Sequence, residues 1–140
     1  MRTITVALGE KTYNIEIAAG LLDQIGAKAR VLSQAVKAAI ISDSNVDPLY
    51  GERLERSLAA SGFEVTRIVF AAGEQSKNLT VLGQVYDELA RAGLTRSDLI
   101  LTLGGGVPGD LGGFAAATFL RGIDFIQVPT SLLAQIDSSV

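Results

Sequence analysis

The chain has 140 residues, of which 48% are hydrophobic and 19% charged, and its formal net charge at pH 7 is −3. This composition favours one folded domain over a disordered chain, and the weak negative charge gives no basic footprint for nucleic acid. Cysteine and histidine are both absent, which excludes disulfides, thiol nucleophiles, imidazole bases and the common zinc sites. No stretch has the roughly 18 apolar residues of a membrane span, and the N-terminus lacks a signal-peptide core. We therefore expect a cytoplasmic protein.

The first half of the chain predicts a hairpin followed by helix, strand and helix. "TITVAL" and "YNIEIA" alternate apolar and polar residues around "GEKT", which is typical of a β-hairpin. A short helix is predicted over 21–29, and the apolar run "KAAIISDS" indicates a strand buried on both faces. Asp47 is a favourable N-cap and Pro48 a favourable first helical residue. The helix that they begin ends near Gly62 and carries an apolar stripe of Tyr50, Leu54 and Leu58.

The second half continues the alternation of strands and helices. "FEVTRIVF", "DLILTL" and "IDFIQVP" are the predicted strands. A helix that ends at Gly93 carries the stripe Leu79, Leu82, Tyr86 and Leu89, and a last helix from about Thr130 carries Leu132, Leu133 and Ile136. Short connections between alternating elements indicate βαβ units with functional loops at the carboxyl ends of the strands. The predicted fold is α/β, a Rossmann-like parallel sheet flanked by helices after an N-terminal β-hairpin, in a single domain over residues 1–140.

The stretch "GGGVPGDLGGFAAATFLRG", residues 104–122, directly follows a predicted buried strand. A strand that runs into glycine and then a helix forms an anion site, because bare backbone approaches a phosphate closely and the helix N-terminus supplies free N–H groups. Pro108 suits the first helical turn, Asp110 suits a polar helix start, and Gly112 and Gly113 would allow close packing. The spacing differs from G-x-G-x-x-G, so a tight turn with Asp110 as a cap is the alternative. Three consecutive glycines favour the phosphate site, since one glycine suffices for a turn.

Polar side chains follow the other predicted strands at the same edge of the sheet. They are Asp43, Glu74, Lys77, Thr130 and Ser131. A carboxylate there can hold ribose hydroxyls, while hydroxyls and lysine can hold phosphate or amide groups. Each residue alone fits a solvated turn, but together they predict a nucleotide site.

Residues 104–140, together with "AGEQSKNL" upstream, closely resemble the N-terminal, NAD-binding domain of the 3-dehydroquinate synthase family. Sugar-phosphate cyclases and glycerol-dehydrogenase-like enzymes share the glycine run more loosely. The resemblance implies NAD as the cofactor, with Glu74 and Lys77 on the adenosine ribose and Gly105 and Gly106 against the pyrophosphate. It also places the following residues at the cofactor: Asp110 at the nicotinamide end, Thr130 and Ser131 as hydrogen-bonding groups, and Asp43 nearby.

The same resemblance implies two substrate-binding residues. Asp137 would face the substrate as a catalytic residue, and Arg121 would reach the substrate phosphate of the neighbouring subunit in a homodimer. A surface ion pair for Arg121 and a solvated helix end for Asp137 are the alternatives. The chain departs from the family at Ala72, where an acid is common, at Pro108, where an aliphatic residue is usual, and at Ser131, which replaces threonine. These departures leave room for a different sugar-phosphate cyclase.

The implied activity is elimination of phosphate from 3-deoxy-D-arabino-heptulosonate 7-phosphate and its cyclisation to 3-dehydroquinate, in the shikimate pathway to chorismate and the aromatic amino acids. The family uses NAD for a transient oxidation and a divalent metal, zinc or cobalt, held by a glutamate and two histidines. Since this chain has no histidine, we expect no metal ligands in it. The family's helical metal-binding C-terminal domain is absent, so we expect a piece of a two-domain enzyme that is inactive alone and binds NAD weakly at most. The alternatives are a glycerol-dehydrogenase-like NAD-dependent dehydrogenase and a stand-alone nucleotide-binding module.

Overall fold

A four-stranded parallel sheet in the order β4-β3-β5-β6 lies between two pairs of helices, and a separate antiparallel hairpin, β1-β2, precedes it. The computed structural model describes all residues 1–140. The strands are β1 (Arg2–Val6), β2 (Tyr13–Ile17), β3 (Lys37–Asp43), β4 (Glu64–Phe70), β5 (Leu99–Gly104) and β6 (Asp124–Pro129). The helices are α1 (Ile25–Leu32), α2 (Glu52–Ala60), α3 (Leu79–Arg91) and α4 (Gly106–Thr118). The predicted fold class and N-terminal hairpin are confirmed.

The two central strands are buried on both faces, as their continuous apolar sequences predict. Ala39, Ile41 and Ile100 pack on one face of the sheet with α3 and α4. Ile40 and Leu101 point to the other face and pack with α1 and α2. The core is therefore two apolar layers, one on each side of the sheet.

The strand order places a topological switch point between β3 and β5. The chain passes from β3 to β4 on one side and then returns to β5 on the other side of β3. In open parallel sheets, ligands bind outside the carboxyl ends of the strands at such a point. Asp43 and Gly104, the last residues of β3 and β5, flank it.

Two predicted helix starts differ in the structure. The segment predicted as a helix over 21–29 begins as a 3₁₀ turn, Leu21–Gln24, and continues as α1 to Leu32. Asp47 does not cap a helix; it opens a π-helical turn, Asp47–Gly51, and its Oδ1 accepts a hydrogen bond from Arg67 Nε at 3.0 Å. The ion pair to β4 outcompetes the local capping bond, so the predicted N-cap is wrong, although Pro48 does lie in the first turn.

Several apolar residues at helical spacing remain exposed. Leu79 begins α3 but is 82% exposed, and the buried stripe of that helix is Leu82, Val85 and Leu89. The last helix is a π-helical turn, Ala134–Ser138, and the predicted apolar residues around it, Leu132, Leu133 and Ile136, are 72%, 67% and 68% exposed. Spacing alone therefore marks the helices correctly but does not decide which of these side chains enters the core.

The hairpin has no apolar layer beneath it. Ile4, Tyr13 and Ile17 are all exposed, and an ion pair of 2.7 Å between Lys28 Nζ and Glu16 Oε2 links β2 to α1. An isolated two-stranded hairpin is marginally stable in water, so tertiary packing stabilises this element less than any other part of the fold. None of the helices combines the length and apolar character needed to cross a bilayer.

Candidate functional site at the carboxyl edge of the sheet

The predicted glycine bend is present at the end of β5. Gly104 has a φ of +147°, and a Cβ on it would lie 2.7 Å from Pro108 Cγ, so both backbone conformation and space require glycine. The N–H of Thr130 donates to the carbonyl of Gly104 at 2.9 Å, which joins the bend to the residue after β6. The bend thus lies beside Thr130, as the sequence predicts.

Gly105 and Gly106 form a surface of bare backbone at the N-terminus of α4. Gly105 is the N-cap residue and no side chain caps the helix, so the N–H groups of its first turn have no side-chain acceptor. A Cβ on Gly105 would lie 3.4 Å from Ser131 Oγ, and one on Gly106 would lie 3.5 Å from Ser138 Oγ. We call Gly104–Gly106 the glycine shelf. It combines free N–H donors, the positive end of a helix dipole and two neighbouring hydroxyls, which suits an anion.

A lysine bridges two loops beside the shelf. Lys77 Nζ lies 2.8 Å from Asp110 Oδ2 and 3.5 Å from Glu74 Oε2. The hydrogen bond to Asp110 is the main cause of a raised pKa for Lys77, so the lysine stays charged at neutral pH. Asp110 lies in the second turn of α4, and the alternative in which it merely caps that helix is wrong.

Asp43 lies at the switch point but is largely enclosed. Its residue is 8% exposed, and Oδ1 accepts hydrogen bonds from the N–H groups of Asn45 and Val46, both at 2.9 Å. These bonds close the turn after β3. Asp43 therefore fixes the conformation of the turn after β3 at this edge of the sheet.

The residues after β6 lie next to Gly105 and Gly106 of the shelf. Ser131 Oγ accepts a hydrogen bond from the N–H of Ala134 at 3.3 Å and begins the C-terminal helical turn. Asp137 is exposed and immediately precedes Ser138, whose hydroxyl faces Gly106. The structure therefore brings the predicted residues of three loops to one edge of the sheet.

Arg121 lies at the opposite, amino edge of the sheet, in the turn between α4 and β6. Leu120 and Arg121 have φ values of 51° and 68°, a left-handed conformation that costs non-glycine residues roughly 1–2 kcal/mol each. Arg121 makes no ion pair, so the surface ion-pair alternative is wrong. It lies at an open surface depression together with Leu94, Thr95, Arg96 and Leu120.

Two hydroxyl residues near the site were not singled out from the sequence. Ser138 faces the shelf, and the only sequence signal for it is the pair of serines in "DSSV". Ser44 Oγ accepts a hydrogen bond from the N–H of Ala72 at 2.9 Å and joins the loops after β3 and β4. No group of three or more His, Cys, Asp or Glu side chains is placed to hold a metal ion, so the residues present do not fit a catalytic metal.

An open parallel sheet with a topological switch point and a glycine bend feeding a helix defines a Rossmann-like α/β domain. Residues 67–140 match the family described as 3-dehydroquinate synthase N-terminal. The chain belongs to this family.

The curated relatives are longer than this chain. The 3-dehydroquinate synthase of Clostridium acetobutylicum is 52% identical over 140 residues, which are 100% of this chain and 39% of that protein. The 3-dehydroquinate synthase of Enterococcus faecalis is 53% identical over 137 residues, which cover 98% of this chain and 38% of that protein. The chain thus spans about two fifths of the length of the relatives it matches.

Solved structures of sugar-phosphate cyclases have the same fold. A 2-deoxy-scyllo-inosose synthase complexed with carbaglucose-6-phosphate, NAD⁺ and Co²⁺ matches with a TM-score of 0.88 and 26% identity, over 98% of this chain and 38% of that one. The 2-epi-5-epi-valiolone synthase of Streptomyces hygroscopicus, with NAD⁺ and Zn²⁺ bound, matches with a TM-score of 0.79 and 29% identity, over 96% of this chain and 37% of that one. A glycerol dehydrogenase of Schizosaccharomyces pombe, at 21% identity and a TM-score of 0.62 over 78% of this chain and 25% of that one, shares the fold alone.

Proposed function

We propose that this chain is the N-terminal NAD-binding domain of a 3-dehydroquinate synthase, a phosphate-eliminating lyase of the shikimate pathway. The proposed substrate is 3-deoxy-D-arabino-heptulosonate 7-phosphate and the product is 3-dehydroquinate. Family membership and identities above 50% to named synthases support this proposal over other cyclases. We also propose a cytoplasmic location and a homodimer, as expected for this family.

The glycine shelf is the observation that carries the proposal. NAD would fit this edge because Gly105 and Gly106 carry no side chain, no side chain caps the N-terminus of α4, and the hydroxyls of Ser131 and Ser138 lie beside the bare backbone. The diphosphate would lie there, close to the hydroxyls of Thr130 and Ser131. When bound, NAD accepts and later returns a hydride, and the chain supplies binding and orientation.

The charged residues beside the shelf would hold the two ends of the cofactor. Glu74 and Lys77 would bind the adenosine ribose, with the carboxylate accepting from hydroxyl groups and the ammonium donating to oxygen. Asp110 would contact the nicotinamide end, and Asp43 would lie near the cofactor at the switch point. Lys77 contacts Asp110 in this structure, so the lysine would exchange that carboxylate for the ribose when NAD binds.

The substrate residues would act at two different edges of the sheet. Asp137 would face the sugar phosphate beside the nicotinamide. Arg121 would bind the substrate phosphate of a second subunit, because it lies at the amino edge and cannot share a site with the glycine shelf of its own chain. The divalent metal would take its ligands from the rest of the two-domain protein.

Gly105→Ala tests the proposal directly. The φ of Gly105 is −81°, which alanine adopts without strain, but the added methyl group would obstruct the diphosphate. In the two-domain enzyme we expect NAD affinity, measured by calorimetry, to fall more than about tenfold while the fold is kept.

Gly83→Ala is the matched control for this test. Gly83 lies within α3 with no atom within 4 Å of the added methyl group, so NAD affinity is unchanged and stability rises by roughly 0.5–1 kcal/mol. Unchanged NAD affinity in Gly105→Ala would show that the diphosphate does not lie on the shelf.

A further inference from the structure

The turn that carries Arg121 is held by a tyrosine on the neighbouring helix, α3. The Tyr86 ring stacks on that of Phe119, with centroids 5.9 Å apart and an interplanar angle of 22°. Tyr86 Oη and Thr118 Oγ1 form a hydrogen bond. Thr118 Oγ1 donates to the carbonyl of Phe114 at 2.7 Å, so the tyrosine hydroxyl is the donor to Thr118. A continuous chain of contacts therefore runs from α3 into the end of α4.

This chain of contacts ends where the backbone becomes strained. Phe119 directly precedes Leu120 and Arg121, the two residues with left-handed φ values. The N–H of Gly122 donates to the carbonyl of Phe119 at 2.9 Å and closes the turn. A strained conformation of this kind persists only where the surrounding structure fixes it. Tyr86 contributes to this by packing on Phe119, the residue before the strained pair.

We propose that Tyr86 and Thr118 are positioning residues for Arg121, which they hold in a fixed direction at the amino edge of the sheet. The inference rests on the proposed function, in which Arg121 binds the substrate phosphate of a second subunit. An unpaired arginine loses much side-chain freedom when it binds phosphate. Ordering of the backbone that carries the arginine is a further cost, and a turn of fixed geometry avoids it. The stacked tyrosine therefore strengthens phosphate binding without contacting the substrate.

The test compares Tyr86→Phe, Arg121→Gln and the double variant in the two-domain enzyme. Tyr86→Phe keeps the ring stack and removes one hydrogen bond, so we expect KM for the sugar phosphate to rise about three- to tenfold with little change in kcat. The inhibition constant of inorganic phosphate rises by the same factor. In the double variant KM matches that of Arg121→Gln, because the tyrosine acts only through the arginine.

Three further variants separate positioning from general stability. Thr118→Ser keeps the hydroxyl and preserves KM, whereas Thr118→Val removes it and raises KM as Tyr86→Phe does. Tyr13→Phe makes the same chemical change on the exposed hairpin and leaves KM unchanged. The positioning role predicts that KM follows the loss of the hydroxyl and not the thermal unfolding midpoint. A rise in KM that instead follows the fall in midpoint across all variants would overturn that role.

The outcomes distinguish this inference from the proposed function. If Arg121→Gln raises KM but Tyr86→Phe leaves it unchanged, or if the two effects multiply in the double variant, the positioning role is overturned and the role of Arg121 stands. If Arg121→Gln leaves KM and phosphate inhibition unchanged, both roles are overturned. NAD affinity, measured in the same variants, stays constant in every case.

Discussion

Lys77 Nζ and Asp110 Oδ2 lie 2.8 Å apart and join the loop after β4 to the second turn of α4. The resemblance to the synthase family places these residues at opposite ends of a dinucleotide, yet here they contact one another. Their side chains are 40% and 47% exposed, and an ion pair at that exposure adds little stability. A bound ribose can therefore replace Asp110 as the partner of Lys77 at small cost.

Lys77→Met is predicted to weaken NAD binding by about three- to tenfold, because it removes one charge-assisted hydrogen bond while keeping the length of the side chain. The dependence of NAD affinity on salt concentration also becomes weaker. Asp110 raises the pKa of Lys77, so the lysine stays protonated from about pH 6 to 9. NAD affinity therefore shows no titration of this group in that range. Calorimetric titration of the two-domain enzyme measures all three effects.

The matched control is Lys28→Met, which breaks the ion pair of similar exposure between Lys28 and Glu16. Lys28 lies on α1, away from the glycine shelf, and its loss should leave NAD affinity unchanged. Equal effects of the two substitutions would assign the loss to net charge and remove Lys77 from the cofactor site.

The buried strands and the glycine bend could be predicted from the sequence because local signals determine them. Continuous apolar runs marked β3 and β5, and three glycines before a helix marked the bend. The failures involve partners distant in sequence. The capping signal at Asp47 was misleading because the β3–β4 register brings Arg67 within reach, and the Lys77–Asp110 contact depends on a loop that turns at Gly73 with a φ of +116°.

Gly112→Ala is predicted to destabilise the fold, because a Cβ there would lie 2.5 Å from Thr102 Cγ2 on β5. We expect a loss of about 1–3 kcal/mol from overpacking, partly offset by the better helix propensity of alanine. Urea unfolding measures the change.

Gly113→Ala is the neighbouring control for that experiment. Its Cβ would make an ordinary contact of 3.5 Å with Phe125 Cε2, so stability is unchanged or slightly higher. Equal losses at Gly112 and Gly113 would show that α4 does not depend on close approach to β5.

Asp98 is predicted to make stability depend on pH below about 4. Burial opposes ionisation of this 6% exposed residue, but hydrogen bonds from the backbone of Lys37 and from Thr95 outweigh it and lower the pKa. A lowered folded-state pKa gives stability that is complete above the unfolded value of about 3.9 and is lost as pH falls through the folded value. Asp98→Asn should therefore lose roughly 1–3 kcal/mol at pH 7 and a smaller amount near pH 3.

Urea titrations at pH 7, 5 and 3 test this dependence, with the exposed Asp87→Asn as control. The control should match the unaltered chain at each pH. A constant difference between Asp98→Asn and the unaltered chain from pH 7 to 3 would contradict the prediction, since the carboxylate would then contribute nothing through its ionisation.

The 140-residue chain alone is predicted to bind NAD weakly and to form no dehydroquinate. The shelf lies on an open edge of the sheet, so a bound dinucleotide would remain largely solvated, and the chain has no histidine and no cluster of metal ligands. We expect a Kd for NAD of at least about 1 mM, equivalent to roughly −4 kcal/mol, and no phosphate release from the sugar phosphate. Calorimetry and a phosphate-release assay measure these quantities, with the two-domain enzyme as the positive control. Micromolar NAD binding or phosphate release by the chain alone would show that the residues described here form a complete site.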